Sequence, residues 1–497
     1  MAHSPPIPSS DVSLADLPQE LLVRVATFLT TDELAPLRCS CKHIERQLFD
    51  SFAHEFFTKR QFLLEHESLE ALVAISKHPG LASKLTEVII DVRAFGPNRW
   101  LDEKRIRKGH VSRQVLLHTG LARDMLVEVF SNLPNLRTLG LRDYNGAGRI
   151  RDGEDARWRP WGWSISHASL VHCQPPEPVF AMLLFAVAKA RARPSHVEVF
   201  LRRRALQHDT FQCCLGTLGS DIIPVLNGLK TLRLAVSSEG SSASRLQGGP
   251  GSPYMKTNAV ETPFRRFLHH TSNLESLRLN FVVDEFLGSR TIEWLIDSPT
   301  PNSQLSNGPI PPLQLQSLRC LDFGMANTSA RALAQVLERT NLESFSLWKM
   351  TLQARSRDHI SDCGWSFLLS RLSTSLPSST RLRKIMIGYG AQALYLGEIR
   401  DHRWDTTISF VPEGTGPTDR VKAAKEHVIT FEARYTGKSV QQWLQEMSER
   451  TFVTPDRDTA SPAQSDPEDV SEDEDDSMDE DDSIVEDSEE FPGEAEE

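Results

Sequence analysis

The sequence predicts an α/β protein that begins with a small all-helical unit, continues as an irregular helix-strand solenoid and ends in an acidic tail. Three observations support this order. Residues 14–49 place apolar side chains at helical spacing, and a helix followed by a short strand recurs through residues 60–450. Residues 466–497 hold 19 acidic side chains and no Lys or Arg, which leaves residues 1–465 with a formal charge of +7.

The first ten residues contain three prolines and lack the charged-then-apolar order of a secretory signal, so residues 1–12 are predicted to be a disordered leader. Seven cysteines form no paired framework, which favours a reducing cytoplasmic or nuclear compartment. The longest apolar run, residues 179–188, is about half the length of a membrane-spanning helix and predicts a buried helix instead. We therefore expect no membrane partner.

Residues 13–59 form the first predicted domain, a unit of three short helices. Pro18 suits the first helical position, where its missing N–H costs nothing, and Thr31 is a suitable N-cap for the second helix. Apolar side chains recur at helical spacing at Leu21, Leu22, Val25, Phe28, Leu29, Leu37, Cys41, Ile44 and Leu48. Such a unit of about 36 residues buries too little surface to be stable alone, so it needs a partner.

Several short motifs in this unit are specific when they are taken together. They are Leu-Pro-x-Glu-Leu-Leu, a Phe-Leu pair separated from the Leu-Pro by nine residues, Asp-x-Leu and Leu-Arg-x-x-Cys-Lys. In order and spacing the unit resembles the F-box, particularly its fungal versions, over roughly a tenth of the chain. It departs from the family pattern at Ser40, where Val or Thr is usual, and at Ile44, where an aromatic residue is common.

The resemblance implies that this unit docks on the Skp-type adaptor of a cullin-RING (SCF) ubiquitin ligase. The positions that match the motif are Leu17, Pro18, Leu21, Leu22, Val25, Leu34, Leu37 and Ile44. The sequence leaves open which of them face the adaptor and which form the core of the F-box itself. Cys39 and Cys41 are expected to be core residues rather than metal ligands, because no further Cys or His pair completes a site.

A short pattern recurs in the middle of the chain, in which a Leu is followed three residues later by an apolar residue and two residues after that by another. The seven copies begin at Leu85, Leu136, Leu229, Leu274, Leu318, Leu342 and Leu382. The last two apolar positions alternate with polar ones, as a strand with one buried face requires, and a helical stretch usually precedes each copy. A repeated helix-strand unit of this kind is typical of a leucine-rich-repeat solenoid.

The spacing of the copies is irregular, from 24 to 93 residues, and the widest gap leaves room for a divergent copy near Val197, Val199 and Leu201. A general α/β domain is the alternative interpretation of residues 60–450. Two stretches rich in Ser, Gly and Pro, residues 237–262 and 298–313, are predicted to be exposed loop insertions.

Three tryptophans lie close together in a loop, at Trp158, Trp161 and Trp163. Because Trp is a favoured binding anchor, they are candidates for contact with a target protein. The alternative is that they pack over the end of the solenoid.

Residues 451–497 are predicted to be a disordered acidic tail, because they combine low apolar content with much like charge. Ser465, Ser471, Ser477 and Ser483 each precede an acidic residue by three positions, a pattern typical of acidophilic kinase sites. A plain solubilising tail is the alternative.

Catalytic motifs are missing from the patterns that the sequence offers. The run 437–439 ends like a phosphate-binding loop, but Glu432 stands where the first Gly is needed, and no Gly-x-Ser-x-Gly elbow occurs. We expect no enzyme activity, no metal and no cofactor. The short basic runs are most simply a solvated face, so no nucleic-acid partner is expected.

The leading hypothesis is therefore a substrate-recognition subunit that binds an adaptor, with its cullin, and an unknown target protein. A scaffold that uses the adaptor without promoting degradation and an unrecognised enzyme are the alternatives.

Overall fold

The computed structural model describes residues 13–94, 103–146, 148–153, 156–157, 172–173, 175–202, 204–237, 262–282, 287–297, 310–354, 364–377, 380–396, 399–414, 430–435, 437 and 439–453. The predicted leader and most of the two predicted loop insertions, over residues 238–261 and 298–309, lie outside these ranges.

Three helices follow a 3₁₀ turn at Leu14–Asp16: α1 (Gln19–Ala26), α2 (Thr31–Ser40) and α3 (Lys42–Phe57). The predicted N-cap at Thr31 is wrong by one residue. Thr30 caps α2, because its hydroxyl accepts the Glu33 N–H while the Glu33 carboxylate accepts the Thr30 N–H at 2.9 Å. This reciprocal capping box satisfies two backbone donors that a helix start leaves open. Pro18 stands at the N-cap of α1, one position before the predicted one.

The rest of the described chain alternates helices and strands. The helices are α4 (His66–Lys77), α5 (Glu103–His118), α6 (Leu121–Asn132), α7 (Pro176–Ala190), α8 (Thr210–Asn227), α9 (Thr262–His269), α10 (Leu287–Ile296), α11 (Ala330–Arg339), α12 (Trp365–Ser375) and α13 (Val440–Arg450). The strands are β1 (Lys59–Leu63), β2 (Glu87–Asp91), β3 (Arg93–Ala94), β4 (Thr138–Arg142), β5 (His172–Cys173), β6 (His196–Phe200), β7 (Leu206–Gln207), β8 (Thr231–Ser237), β9 (Ser276–Phe281), β10 (Cys320–Gly324), β11 (Asn327–Thr328), β12 (Ser344–Trp348), β13 (Thr351–Ala354), β14 (Lys384–Gly388), β15 (Ala391–Leu396), β16 (Ile399–Phe410), β17 (Glu432–Arg434) and β18 (Thr451–Val453).

One large sheet organises the chain, in the order β1-β2-β4-β6-β8-β9-β10-β12-β14-β17, with β7 paired to β8. Pairing is parallel from β1 to β14, and only the last strand of this path, β17, is antiparallel. The strand order follows the chain without reversal. Because crossovers between parallel strands are right-handed, successive helices then lie on the same face of the sheet. The predicted α/β class is confirmed.

The seven predicted strand copies all coincide with strands of this sheet, and β6 confirms the divergent copy at Val197 and Val199. In each copy the alternating apolar residues point under the helices and are buried, as at Leu277 and Leu279 of β9. The predicted buried helix at residues 179–188 is α7, and none of the described helices is both long and apolar enough to cross a membrane.

A second sheet, β11-β13-β15-β16-β18, has no counterpart in the predicted pattern. Three of its strands follow strands of the large sheet after two residues, the first of which has its backbone in the left-handed region: Met325, Lys349 and Tyr389. Such a conformation costs about 1–2 kcal/mol for a residue with a side chain, so the sequence alone does not suggest it. β18 pairs with β16 and extends the folded chain three residues into the predicted tail.

The loop predicted over residues 298–313 is not exposed at its end. Leu313 is buried, and Ile310 packs against the core. The Trp294 indole donates a hydrogen bond to the Ile310 carbonyl at 2.9 Å, which holds the chain against α10.

Candidate docking site

The three N-terminal helices have a small core of their own. Its buried members are Leu22, Ala26, Leu34, Ile44, Leu48 and Phe56. Three of the eight predicted adaptor-binding residues, Leu22, Leu34 and Ile44, therefore hold the unit together instead of facing a partner. Leu37 is partly buried against the same core.

Other predicted residues point outward from the same helix. Leu21 is 48% exposed and Val25 is 40% exposed, Pro18 is exposed, and Leu17 is intermediate. Leu22 packs into the core one residue away from Leu21, because successive side chains on a helix point about 100° apart. The predicted adaptor-binding residues thus divide into those that form the core of the unit and those that lie on its surface.

Two further exposed apolar residues lie beside these and were not among the predicted adaptor-binding residues. Leu14 is 40% exposed and Phe28 is 80% exposed. With Pro18, Leu21 and Val25 they recur every three or four residues. Leu21 and Val25 lie on one side of α1, with Phe28 in the turn after it and Leu14 in the 3₁₀ turn before it. We call these five residues the exposed stripe. The spacing itself was visible in the sequence, but only burial tells the stripe from the equally apolar core positions.

The stripe stands out from the rest of the described chain. Ten large apolar side chains are exposed among the described residues, and four of them lie between Leu14 and Phe28. Scattered exposed apolar residues are normal, whereas a concentration of them within one short segment is a candidate binding surface.

Cys39 and Cys41 are both exposed, so the prediction that they are core residues is wrong. Cys41 is the N-cap of α3, where its Sγ accepts the Ile44 N–H at 3.5 Å. A capping residue sits outside the packed turns of its helix, and this explains its exposure.

A loop from the repeat region clasps the α1–α2 turn. Within it, a 3₁₀ turn spans Ile150–Asp152, and we call residues 148–153 the strap. The Arg151 guanidinium donates to both carboxylate oxygens of Glu55 at 2.5 Å, and to the carbonyls of Ala26 at 3.1 Å and Leu29 at 2.9 Å. One side chain thus pairs with α3 and satisfies carbonyls that the end of α1 leaves open.

Asp152 completes the clasp on the other side of the turn. Its carboxylate accepts the Thr31 backbone N–H at 2.8 Å and the Thr31 hydroxyl at 2.6 Å. A carboxylate at the start of α2 also interacts favourably with the positive end of the helix dipole. The strap therefore holds the end of one helix and the beginning of the next.

The strap has a fixed shape of its own. The Gly148 N–H donates to the Ala156 carbonyl at 2.7 Å, and a Cβ at Gly148 would lie 2.4 Å from the backbone of Ala156. Gly153 has a φ of +96°, which favours glycine. Only glycine at these two places lets the loop close this tightly.

Charged side chains cross the face of the large sheet opposite the buried apolar residues. Register aligns Glu198, Arg233, Arg278 and Asp322 on four neighbouring strands, and we call these four residues the arginine row. Arg233 pairs with Glu198 at 3.3 Å, and Arg278 pairs with Asp322 at 3.1 Å.

The two arginines of this row, together with Arg142, surround an aromatic ring. Phe200 on β6 has the guanidinium carbons of Arg142, Arg233 and Arg278 within 5.5–5.9 Å of its ring centroid. Arg142 also approaches Glu198 at 3.8 Å, so three cations share two anions. Arginine and aromatic side chains are favoured anchors in protein interfaces. None of these residues was predicted, because their partners lie on different strands.

A buried polar cluster lies where β1 and β2 end. Asp91 is fully buried and accepts from the Arg93 guanidinium and from the Gln61 amide at 2.8 Å. Nearby, burial raises the pKa of Glu65 to about 7, and the Coulombic attraction of Arg113 offsets this only in part. Within the described part of the chain, Glu65 Oε1 has no hydrogen-bond donor.

Other predicted sites lie outside the described residues. These are the candidate target contacts Trp158, Trp161 and Trp163 and the candidate phosphorylation sites Ser465, Ser471, Ser477 and Ser483.

A comparison of the chain with protein-family models gives no match, and neither does a comparison with curated proteins.

Proposed function

We propose that this chain is the substrate-recognition subunit of an SCF ubiquitin ligase, and that residues 13–59 are an F-box that docks on the Skp-type adaptor. The observation that carries this proposal is the exposed stripe. The helical unit already has a closed core, yet it keeps a row of large apolar side chains in water. Burial of such a row against a partner recovers about 25 cal/mol for each Å² of apolar surface removed from water.

The division of the motif supports the same proposal. A motif that served only to fold the unit would need its buried positions, Leu22, Leu34 and Ile44, and would leave Leu21 and Val25 free to be polar. Their apolar character is explained by a second surface, which the adaptor covers.

Residues 60–450 are, on this proposal, a leucine-rich-repeat-like domain that holds the target protein. The arginine row and Phe200 supply a surface that combines an aromatic ring with two arginines and the two carboxylates they pair with. The cullin joins through the adaptor, and the ubiquitin-transfer chemistry belongs to other subunits, so this chain needs no cofactor. The cytoplasm or nucleus is the compartment where such a complex acts.

The test is a titration of the full chain with a purified Skp-type adaptor, alongside a Leu21→Lys, Val25→Lys double variant. Lys is a good helix former, so the variant keeps α1 while it places two charges in the stripe. The matched control is Val111→Lys with Val115→Lys, because these residues are 56% and 50% exposed on α5. We expect the wild type and the control to bind, and the stripe variant to lose at least a hundredfold in affinity.

Equal adaptor affinity for the wild type and the stripe variant contradicts the F-box assignment.

A second measurement separates the substrate receptor from a scaffold that does not promote degradation. Proteins that co-purify with the wild-type chain should have longer half-lives in cells that lack it. Adaptor binding with unchanged half-lives for all of them supports a scaffold instead.

A further inference from the structure

We propose that the adaptor-docking surface extends beyond the F-box onto the strap, and that Ile150 is its additional apolar contact. This inference rests on the proposed function and specifies its interface. It assigns a role in partner binding to a residue about 90 positions downstream of the helical unit.

Ile150 is the most exposed large apolar side chain in the described chain, with its full surface accessible to solvent. A polar residue would serve the clasp equally well at this position. The neighbours of Ile150 make the clasp, since Arg151 and Asp152 together form six hydrogen bonds to the helical unit. Ile150 itself contributes nothing to them.

The strap lies against the turn in which the exposed stripe ends. Arg151 donates a hydrogen bond to the carbonyl of Leu29. Ile150 precedes Arg151 in the chain and Phe28 precedes Leu29, so each apolar residue adjoins one partner of this hydrogen bond. Phe28 and Ile150 are also the two most exposed large apolar side chains of the described residues. One partner that covers Phe28 therefore reaches the strap without a second interface.

The size of the stripe points the same way. A stable interface usually draws about 20–30 residues from each partner, and the stripe supplies five. The docking surface must therefore include neighbouring parts of the molecule. The strap meets the requirement for a pre-organised contact, because its glycines and its ion pair fix it before the partner arrives, which lowers the entropy lost on binding.

The experiment measures the affinity of the full chain for a purified Skp-type adaptor by isothermal titration calorimetry, with Ile150→Ala, Ile150→Asp and Leu21→Lys variants. Val115→Asp is the matched control, because Val115 is also an exposed apolar residue and lies on α5, a helix that packs on α4 and α6. Since Ile150 makes no packing contact, its variants should keep the wild-type Tm. We expect Kd to rise about tenfold for Ile150→Ala and further for Ile150→Asp, with no change for Val115→Asp.

The outcomes separate the two proposals. If Leu21→Lys weakens adaptor binding and both Ile150 variants bind like the wild type, the extension onto the strap is wrong and the F-box assignment stands. If the wild type does not bind the adaptor, or if Leu21→Lys binds equally well, both proposals are wrong. A rise in Kd for the Ile150 variants with an unchanged control supports the extension.

Discussion

Adjacent leucines on α1 are expected to respond to substitution in opposite ways. Leu22 is fully buried in the core of the helical unit, whereas Leu21 is 48% exposed on the stripe. We predict that Leu22→Ala destabilises the unit and leaves its docking surface intact. We predict that Leu21→Ala leaves stability unchanged and weakens adaptor binding.

The magnitudes follow from burial. Replacing a buried Leu with Ala costs about 2–5 kcal/mol, and we expect about 3 kcal/mol at Leu22. Complete burial of an exposed Leu contributes about 1.5–3 kcal/mol, and about half of the Leu21 side chain remains to be covered by a partner. Leu21→Ala should therefore cost about 1 kcal/mol of binding, or roughly fivefold in Kd, and less than about 0.5 kcal/mol of stability.

Hydrogen exchange of peptides that cover α1 measures the first effect, and titration with the adaptor measures the second. About 3 kcal/mol corresponds to an increase of roughly a hundredfold in exchange rate if α1 opens locally. A saturating adaptor should restore protection in Leu22→Ala, because a ligand that binds only the folded unit stabilises it. Unchanged exchange in Leu22→Ala, or faster exchange in Leu21→Ala, contradicts the assignment of the two faces.

Three further predictions concern charge. Burial raises the pKa of Glu65 to about 7, so the folded protein favours the protonated carboxyl. The contribution of Glu65 to stability should be greatest below about pH 4.5 and fall by up to about 3 kcal/mol as pH rises to 7, and denaturation of Glu65→Gln should lack this part of the pH dependence. Arg151→Met should lower the free energy of local opening of α1 and α2 by about 2–3 kcal/mol and so accelerate their hydrogen exchange. A double variant with Glu55→Gln should lose less stability than the sum of the two single variants. Glu198→Gln removes the carboxylate that Arg233 approaches at 3.3 Å and the buried Arg142 at 3.8 Å. It should lower the free energy of unfolding by about 1–2 kcal/mol, which urea titration can resolve from the wild type.

Eight strands of the large sheet could be predicted because each carries its own signal, whereas β1, β7 and β17 were not predicted. The alternation of apolar and polar residues after a leading Leu is local, and it identified β6 even where the leading Leu is missing. Irregular spacing did not obscure it, since insertions between repeats leave the strand pattern intact. The second sheet lacks such a signal, because the residues in the left-handed region at its entry points are Met325, Lys349 and Tyr389, and none of them is a glycine.

Within the helical unit, the sequence located the motif but did not assign its faces. α1 is only eight residues long and carries apolar residues on both sides, so periodicity gives no preference for one face as the core. The cap of α2 could have been predicted, because Thr30 and Glu33 have the spacing of a capping box and Thr31 lacks that partner. The strap could not, since Arg151 and Glu55 lie 96 residues apart.

The docking surface is tied to the repeat domain at both of its ends. At one end, α3 leads into β1 with one residue between them, and the Phe57 ring packs against the small core and the large core alike. At the other end, the strap holds the α1–α2 turn. A unit that buries so little surface by itself thus draws stability from its contacts with the helix-strand domain. The same contacts fix the orientation of the stripe relative to the sheet. On the proposed function, this fixed geometry would hold the target at a set distance from the transferred ubiquitin.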